Sequence, residues 1–69
     1  MSQTFAFYNE RAEQAAAEAE AATLDNVRER ALRSEKTWRG LAEQARSVAE
    51  TRAKVEQEKA AERAAAAAQ

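Results

Sequence analysis

The sequence contains no cysteine, no histidine and no proline, and its single glycine is Gly40. Without cysteine and histidine, one copy of the chain cannot assemble the usual zinc sites or a Ser-His-Asp triad. Ser34 and Ser47 likewise have no base in the chain that would activate them. We therefore expect no enzymatic activity, no cofactor, no metal and no small-molecule substrate.

Long apolar runs are absent as well. No stretch approaches the roughly 20 apolar residues of a membrane-spanning helix, and the first residues lack the basic and apolar regions of a secretion signal. The sequence thus predicts a cytoplasmic protein with no membrane association.

Four acidic residues near the start of the sequence are the set that most resembles a metal-binding cluster. Helical-bundle sites for two metals combine Glu with a Glu-x-x-His motif, which a chain without histidine cannot supply. We therefore interpret these acids as solvated: Glu10, Glu13, Glu18 and Glu20.

Alanine, glutamate, lysine, leucine and arginine make up 45 of the 69 residues. This composition is typical of long helices and coiled coils. Leucine, isoleucine, valine and phenylalanine are scarce, a feature shared with disordered chains, but the net charge is only −1. Balanced charge and abundant alanine favour helices with a narrow apolar seam over disorder.

Apolar and small residues recur at steps of three and four in two blocks, as on one face of a helix. The blocks are out of phase by about 160° at 100° per residue, which predicts a turn near Thr23 with Thr23 as N-cap. We reject a turn at Gly40, because the spacing runs through it without a slip. The first block comprises Phe5, Tyr8, Ala12, Ala15, Ala19 and Ala22, and the second Leu24, Val27, Ala31, Ser34, Trp38, Leu41, Ala45, Val48, Arg52 and Val55.

These blocks predict an all-α helical hairpin with a short helix over about 4–22 and a long helix over about 24–63. Residues 1–63 form one domain, and 64–69 form an alanine-rich tail that frays. Antiparallel pairing with residue numbers summing near 46 places Phe5 and Tyr8 against Leu41 and Trp38. The alternative fold is a single long helix in a coiled coil.

The long helix extends well past the short one, which leaves Val48 and Val55 without cover in their own chain. A core this small usually needs a second chain. We expect association into an antiparallel dimer or four-helix bundle, and a non-enzymatic interaction or adaptor function. The alternative is a small accessory or regulatory subunit of a larger complex. The predicted packing and interface residues are Phe5, Tyr8, Leu24, Val27, Trp38, Leu41, Val48 and Val55.

The charges of the two predicted helices are complementary. Residues 1–27 carry a net charge of −4 and residues 28–54 a net charge of +4. Along the long helix, acid-before-base pairs at i,i+4 predict stabilising ion pairs. These pairs are Glu29/Arg33, Glu35/Arg39 and Glu50/Lys54.

The basic stretch around residues 28–39 is the one feature that suggests nucleic acid, because Arg28, Lys36 and Arg39 point away from the apolar seam. Acidic residues interrupt it and the net charge is −1, so a nucleic-acid-associated helix ranks third among the functions. Leu32 lies on that same side, where a solvated face is normally polar. Together with Arg28 and Arg39 it marks a possible second contact surface.

A set of short motifs resembles a pattern found in small uncharacterised helical proteins of alphaproteobacteria. The motifs are Tyr8-x-Glu10-Arg11-Ala12, the run from Ala22 to Arg30 (ATLDNVRER), Leu32-Arg33-Ser34 and Trp38. The resemblance covers about residues 8–50 and implies a short cytoplasmic helical protein. It implies no activity and no site residue.

Overall fold

The computed structural model describes residues 4–68, which form two helices and no strand. Helix α1 spans Phe5–Ala21, and helix α2 spans Asp25–Ala67. The two helices pack against each other as an antiparallel hairpin, and the molecule measures 68 × 18 × 15 Å. The predicted all-α hairpin is therefore confirmed.

Helix α1 begins at a capped end. The Phe7 amide donates a hydrogen bond to Oγ1 of Thr4, whose extended backbone makes it the N-cap. This bond satisfies one of the amides that the first helical turn leaves without a partner. At the other end, Ala22 leaves the helix with an extended backbone while its amide still donates to the Ala19 carbonyl.

The turn lies where the phase of the sequence changes, but its capping differs from the prediction. The N-cap of α2 is Leu24, not Thr23, and Leu24 offers no side-chain oxygen to the first amides of the helix. Asp25 in the first turn places a negative charge near the positive end of the α2 dipole, which partly replaces a cap. No residue of the described chain has a positive φ angle, so this turn requires no glycine.

Helix α2 is longer than predicted. It continues through Ala67, beyond the expected end near 63, because alanine has the highest helix propensity of all residues. Fraying of the segment 64–69 stays a prediction, and Gln69 lies outside the described residues. At 1.5 Å per residue, α2 is about 65 Å long and α1 only about 25 Å.

The centre of the hairpin is a seam of alanines. Small side chains at a helix contact let two helices approach toward the short end of the usual range of about 8–10 Å. Among the described residues, five are buried: Ala12, Ala15 and Ala19 on α1, and Ala31 and Ala42 on α2.

No helix among the described residues is both long enough and apolar enough to cross a membrane.

Candidate functional site

Three aromatic rings close the open end of the hairpin. The ring centroids of Tyr8 and Trp38 lie 6.0 Å apart, and Phe7 meets Tyr8 at 5.6 Å and Trp38 at 6.1 Å, both edge-on. Edge-to-face pairs at such distances are favourable beyond the area that they bury. The predicted pairing of Tyr8 with Trp38 is thus found, and Phe7, which the helical stripe omits, joins it.

Arg11 extends this cluster along the seam. Its guanidinium carbon lies 5.2 Å from the centre of the Trp38 ring, within the range of a cation–π contact. This contact is not an instance of the predicted attraction between the acidic and the basic helix, because it joins a cation of α1 to an aromatic ring; the described ion pairs all lie within α2. The spacing gave no signal for this contact, because Arg11 is not a member of the first block of apolar and small residues.

A shallow groove of about 160 Å³ runs beside this contact. Ligand pockets for small molecules typically measure about 300–1,000 Å³, so this groove is too small for most of them. It is lined by Arg11, Gln14, Ala15, Glu18, Ser34 and Trp38. Among the described residues, no group of three or more acidic side chains is placed to hold a metal ion.

The turn is bridged by Arg28. Its guanidinium donates to the Ala22 carbonyl at 3.2 Å and to Oδ1 of Asp25 at 3.3 Å. A cation at this place also interacts favourably with the carbonyl end of the α1 dipole. Sequence reasoning assigned Arg28 to a second contact surface and missed this role, because the distance between Arg28 and Ala22 depends on the turn.

The other two residues of the predicted second contact surface are Arg39, which forms an ion pair, and Leu32, which does not. Arg39 donates to Oε2 of Glu35 at 2.6 Å, which is one of the i,i+4 pairs that the sequence predicts. Leu32 is exposed. Arg28 and Arg39 both donate hydrogen bonds to groups of their own chain, so fewer of their N–H groups are available to bind phosphates. This argues against the hypothesis that this surface binds nucleic acid.

The predicted packing residues divide into two groups. Tyr8, Trp38 and Leu41 are half-buried against the partner helix. The others are exposed within a single chain: Phe5, Leu24, Val27, Val48 and Val55. Phe5, placed against Leu41 by the sequence, is 44% exposed, and Leu24, at the turn, is 61% exposed, so neither packs into the seam of its own hairpin.

Beyond the hairpin, α2 continues without any cover. We call its residues 46–67 the arm, and every described residue from Arg46 onward is exposed. The arm is about 33 Å long at 1.5 Å per residue. Val48 and Val55, seven residues apart and so on one side of the arm, are each 44% exposed.

Ion pairs support the arm where packing does not. Arg46 donates to the carboxylates of both Glu43 and Glu50, and Arg63 donates to Glu56 at 3.2 Å. The sequence predicts a pair of Glu50 with Lys54, whereas in the structure Glu50 pairs with Arg46. The hydrogen bond and the charge of Glu43, with the charge of Glu50, raise the pKa of the Arg46 guanidinium above its usual value.

No protein-family model, curated protein or solved structure matches this chain. The resemblance to small alphaproteobacterial proteins therefore stays a prediction.

Proposed function

We propose that this protein is a non-enzymatic interaction module that self-associates through the arm. The observation that carries the proposal is the exposure of the whole arm, which includes both of its valines. The same helix buries Ala31 and Ala42 where α1 covers it. A second copy offers an arm of equal length, so each arm can provide the cover that the other lacks.

The composition of the arm supports a protein partner over a small molecule or a nucleic acid. Its charges nearly cancel, since five basic and four acidic side chains lie between residues 46 and 67. Two arms from two copies therefore have almost no net attraction or repulsion. Ion pairs between individual side chains would then determine how the two arms align along their length. A strongly basic surface, which phosphate binding requires, is missing from the arm.

The first experiment measures the mass of the protein in solution by light scattering over a range of concentrations. The mass of a single chain is 7.6 kDa. We expect a multiple of this mass, together with a thermal melting temperature that rises with protein concentration, because association stabilises the folded state by mass action. A single-chain mass and a melt independent of concentration would contradict self-association and favour the accessory-subunit alternative.

The second experiment locates the surface with matched variants. Val48→Glu and Val55→Glu place a charge on the proposed contact side, whereas Gln57→Glu adds the same charge on the opposite side of the arm. We expect the first two to lower the mass toward that of one chain and Gln57→Glu to leave it unchanged. Circular dichroism at low concentration shows whether each variant remains helical. Equal effects of all three would exclude a specific contact at the valines.

A further inference from the structure

Three charged side chains of the arm lie on the same side as its valines. The steps of three and four that include Val48 and Val55 continue through Arg52, Lys59 and Glu62, so all five form one stripe along α2. All five are exposed, and the described ion pairs include none of the three charges. A helix that covers the valines therefore also meets these charges.

The direction of the covering helix determines what the charges of the stripe meet. In a parallel pair with aligned ends, each residue of the stripe faces the same residue of the other copy, so Arg52 meets Arg52 and Glu62 meets Glu62. Like charges that face each other at a contact are unfavourable. In an antiparallel pair, residues with different numbers face each other, and opposite charges can meet.

The length of the arm favours one antiparallel alignment. Two arms that overlap over the whole exposed segment 46–67 pair residues whose numbers sum to about 113. Placing Arg52 opposite Glu62 of a second copy matches this alignment to within one residue. The same alignment sets Val55 against Lys59, whose methylene groups can cover an apolar neighbour. The greatest overlap and the pairing of opposite charges therefore agree.

We infer that two arms pair antiparallel, with Arg52 of each chain against Glu62 of the other. This rests on the proposed self-association and adds its direction and a contact that occurs twice, on either side of a two-fold axis near Gln57. Glu56, close to that axis, is partly neutralised by Arg63 of its own chain. The two hairpins then lie at opposite ends of the pair, whereas a parallel pair places them side by side.

The first test exchanges the two charges. Arg52→Glu and Glu62→Arg each create like-charge contacts in the antiparallel pair, and the double variant restores opposite charges. We expect each single variant to raise the dissociation constant about tenfold and the double variant to bring it close to the native value, as measured by analytical ultracentrifugation. Within one chain the two residues are about 15 Å apart along α2, so this recovery reports a contact between chains.

Lys54→Glu is the control for the charge exchange, because it makes the same change of charge in the exposed arm but outside the stripe. We expect it to change the dissociation constant much less than Arg52→Glu does. Circular dichroism shows whether each variant remains helical. A double variant as weak as the single variants, or an equal effect of Lys54→Glu, would overturn the contact between Arg52 and Glu62.

The second test measures the direction of pairing without altering the stripe. The chain has no cysteine, so Gln57→Cys and Ala64→Cys, seven residues apart on one side of the arm, each give one spin label per chain. In the antiparallel pair, the two labels at position 57 lie level and the two at position 64 are offset by about 21 Å along the axis. We therefore expect the longer interchain distance at position 64.

Equal interchain distances at the two positions would show a parallel pair and overturn the antiparallel arrangement while self-association stands. A single-chain mass with no interchain distance at either position would contradict the proposed self-association, and this inference with it.

Discussion

The ring of Tyr8 lies over the ring of Trp38 with their centroids 6.0 Å apart and their planes inclined by 31°. This contact joins the first turn of α1 to the amino-terminal third of α2, at the end of the hairpin opposite the turn. It therefore fixes the open end, as Arg28 fixes the turn. Between these two points the seam consists of alanines, which bury little area each.

Replacing Trp38 removes the residue that contacts both Phe7 and Tyr8 as well as Arg11. A buried large aromatic costs about 3–5 kcal/mol on truncation to alanine, and Trp38 is half-buried, so we expect Trp38→Ala to lose about 2–4 kcal/mol. Urea denaturation followed by circular dichroism measures this loss. Native stability in the variant would mean that the aromatic cluster does not hold the hairpin.

The buried alanines leave little room for a larger side chain. Ala15 is 4% exposed, so Ala15→Leu forces the helices apart and should destabilise the hairpin by about 1–3 kcal/mol. Ala17 is exposed on the same helix, and Ala17→Leu serves as the control with the same change in composition. We expect the control to alter the melting temperature little. Equal effects of the two substitutions would show that α1 does not pack through the buried alanines.

Arg28 contributes through the Ala22 carbonyl and the Asp25 carboxylate, both at the surface. We expect Arg28→Ala to cost about 0.5–1 kcal/mol, since exposed hydrogen bonds and ion pairs contribute modestly. Arg30→Ala removes a nearby exposed arginine as the control. Amide hydrogen exchange should increase at Ala22 and in the first turn of α2 in Arg28→Ala only. Unchanged hydrogen exchange at these amides would show that Arg28 does not stabilise the turn.

The helicity of the arm should depend on salt concentration, because Arg46 forms ion pairs with Glu43 and Glu50. Its pKa is raised by Glu43 and Glu50, so as the pH rises these contacts persist up to the usual arginine pKa and are lost through the raised value; they also require both carboxylates to be ionised. At neutral pH the sensitive variable is therefore ionic strength and not pH. We expect Arg46→Gln to lower helicity at low salt and the difference to shrink at about 1 M salt.

Lys54→Gln is the control for that measurement, because Lys54 lies in the same exposed arm and the described ion pairs do not include it. A loss of helicity in Arg46→Gln that persists at high salt would mean that packing or helix propensity, and not charge, explains the effect.

Hydrophobic spacing predicted the hairpin, the place of the turn and the contact of Tyr8 with Trp38, because all three depend on which residues share a helical face. It did not predict the burial of Ala42, and it leaves Phe7 outside the helical stripe. Where two helices meet through small residues, the contact follows the closest approach of the backbones. A long side chain such as Phe7 can then contact Trp38 although it lies outside the apolar stripe of α1.

One contact that the sequence could not predict, that of Arg28 with the Ala22 carbonyl, depends on a distance across the turn. Arg28 lies six residues after Ala22, and only the bend at Thr23 and Leu24 brings its guanidinium to that carbonyl. Similarly, Glu50 has basic neighbours at four residues on both sides, and spacing alone does not choose between Arg46 and Lys54. The side-chain geometry of α2 decides that choice.

The change of phase at the turn protects the protein against exchange of α1 between copies. A short connection without glycine or proline invites helices to straighten and swap partners. Ala19 and Ala31, both buried, would point about 120° apart on one continuous helix. A straight partner covers a single side of such a helix and leaves the other set of alanines in water. Exchange of α1 between copies would therefore expose alanines that the closed hairpin buries, so the change of phase favours the closed hairpin over chains of exchanged helices.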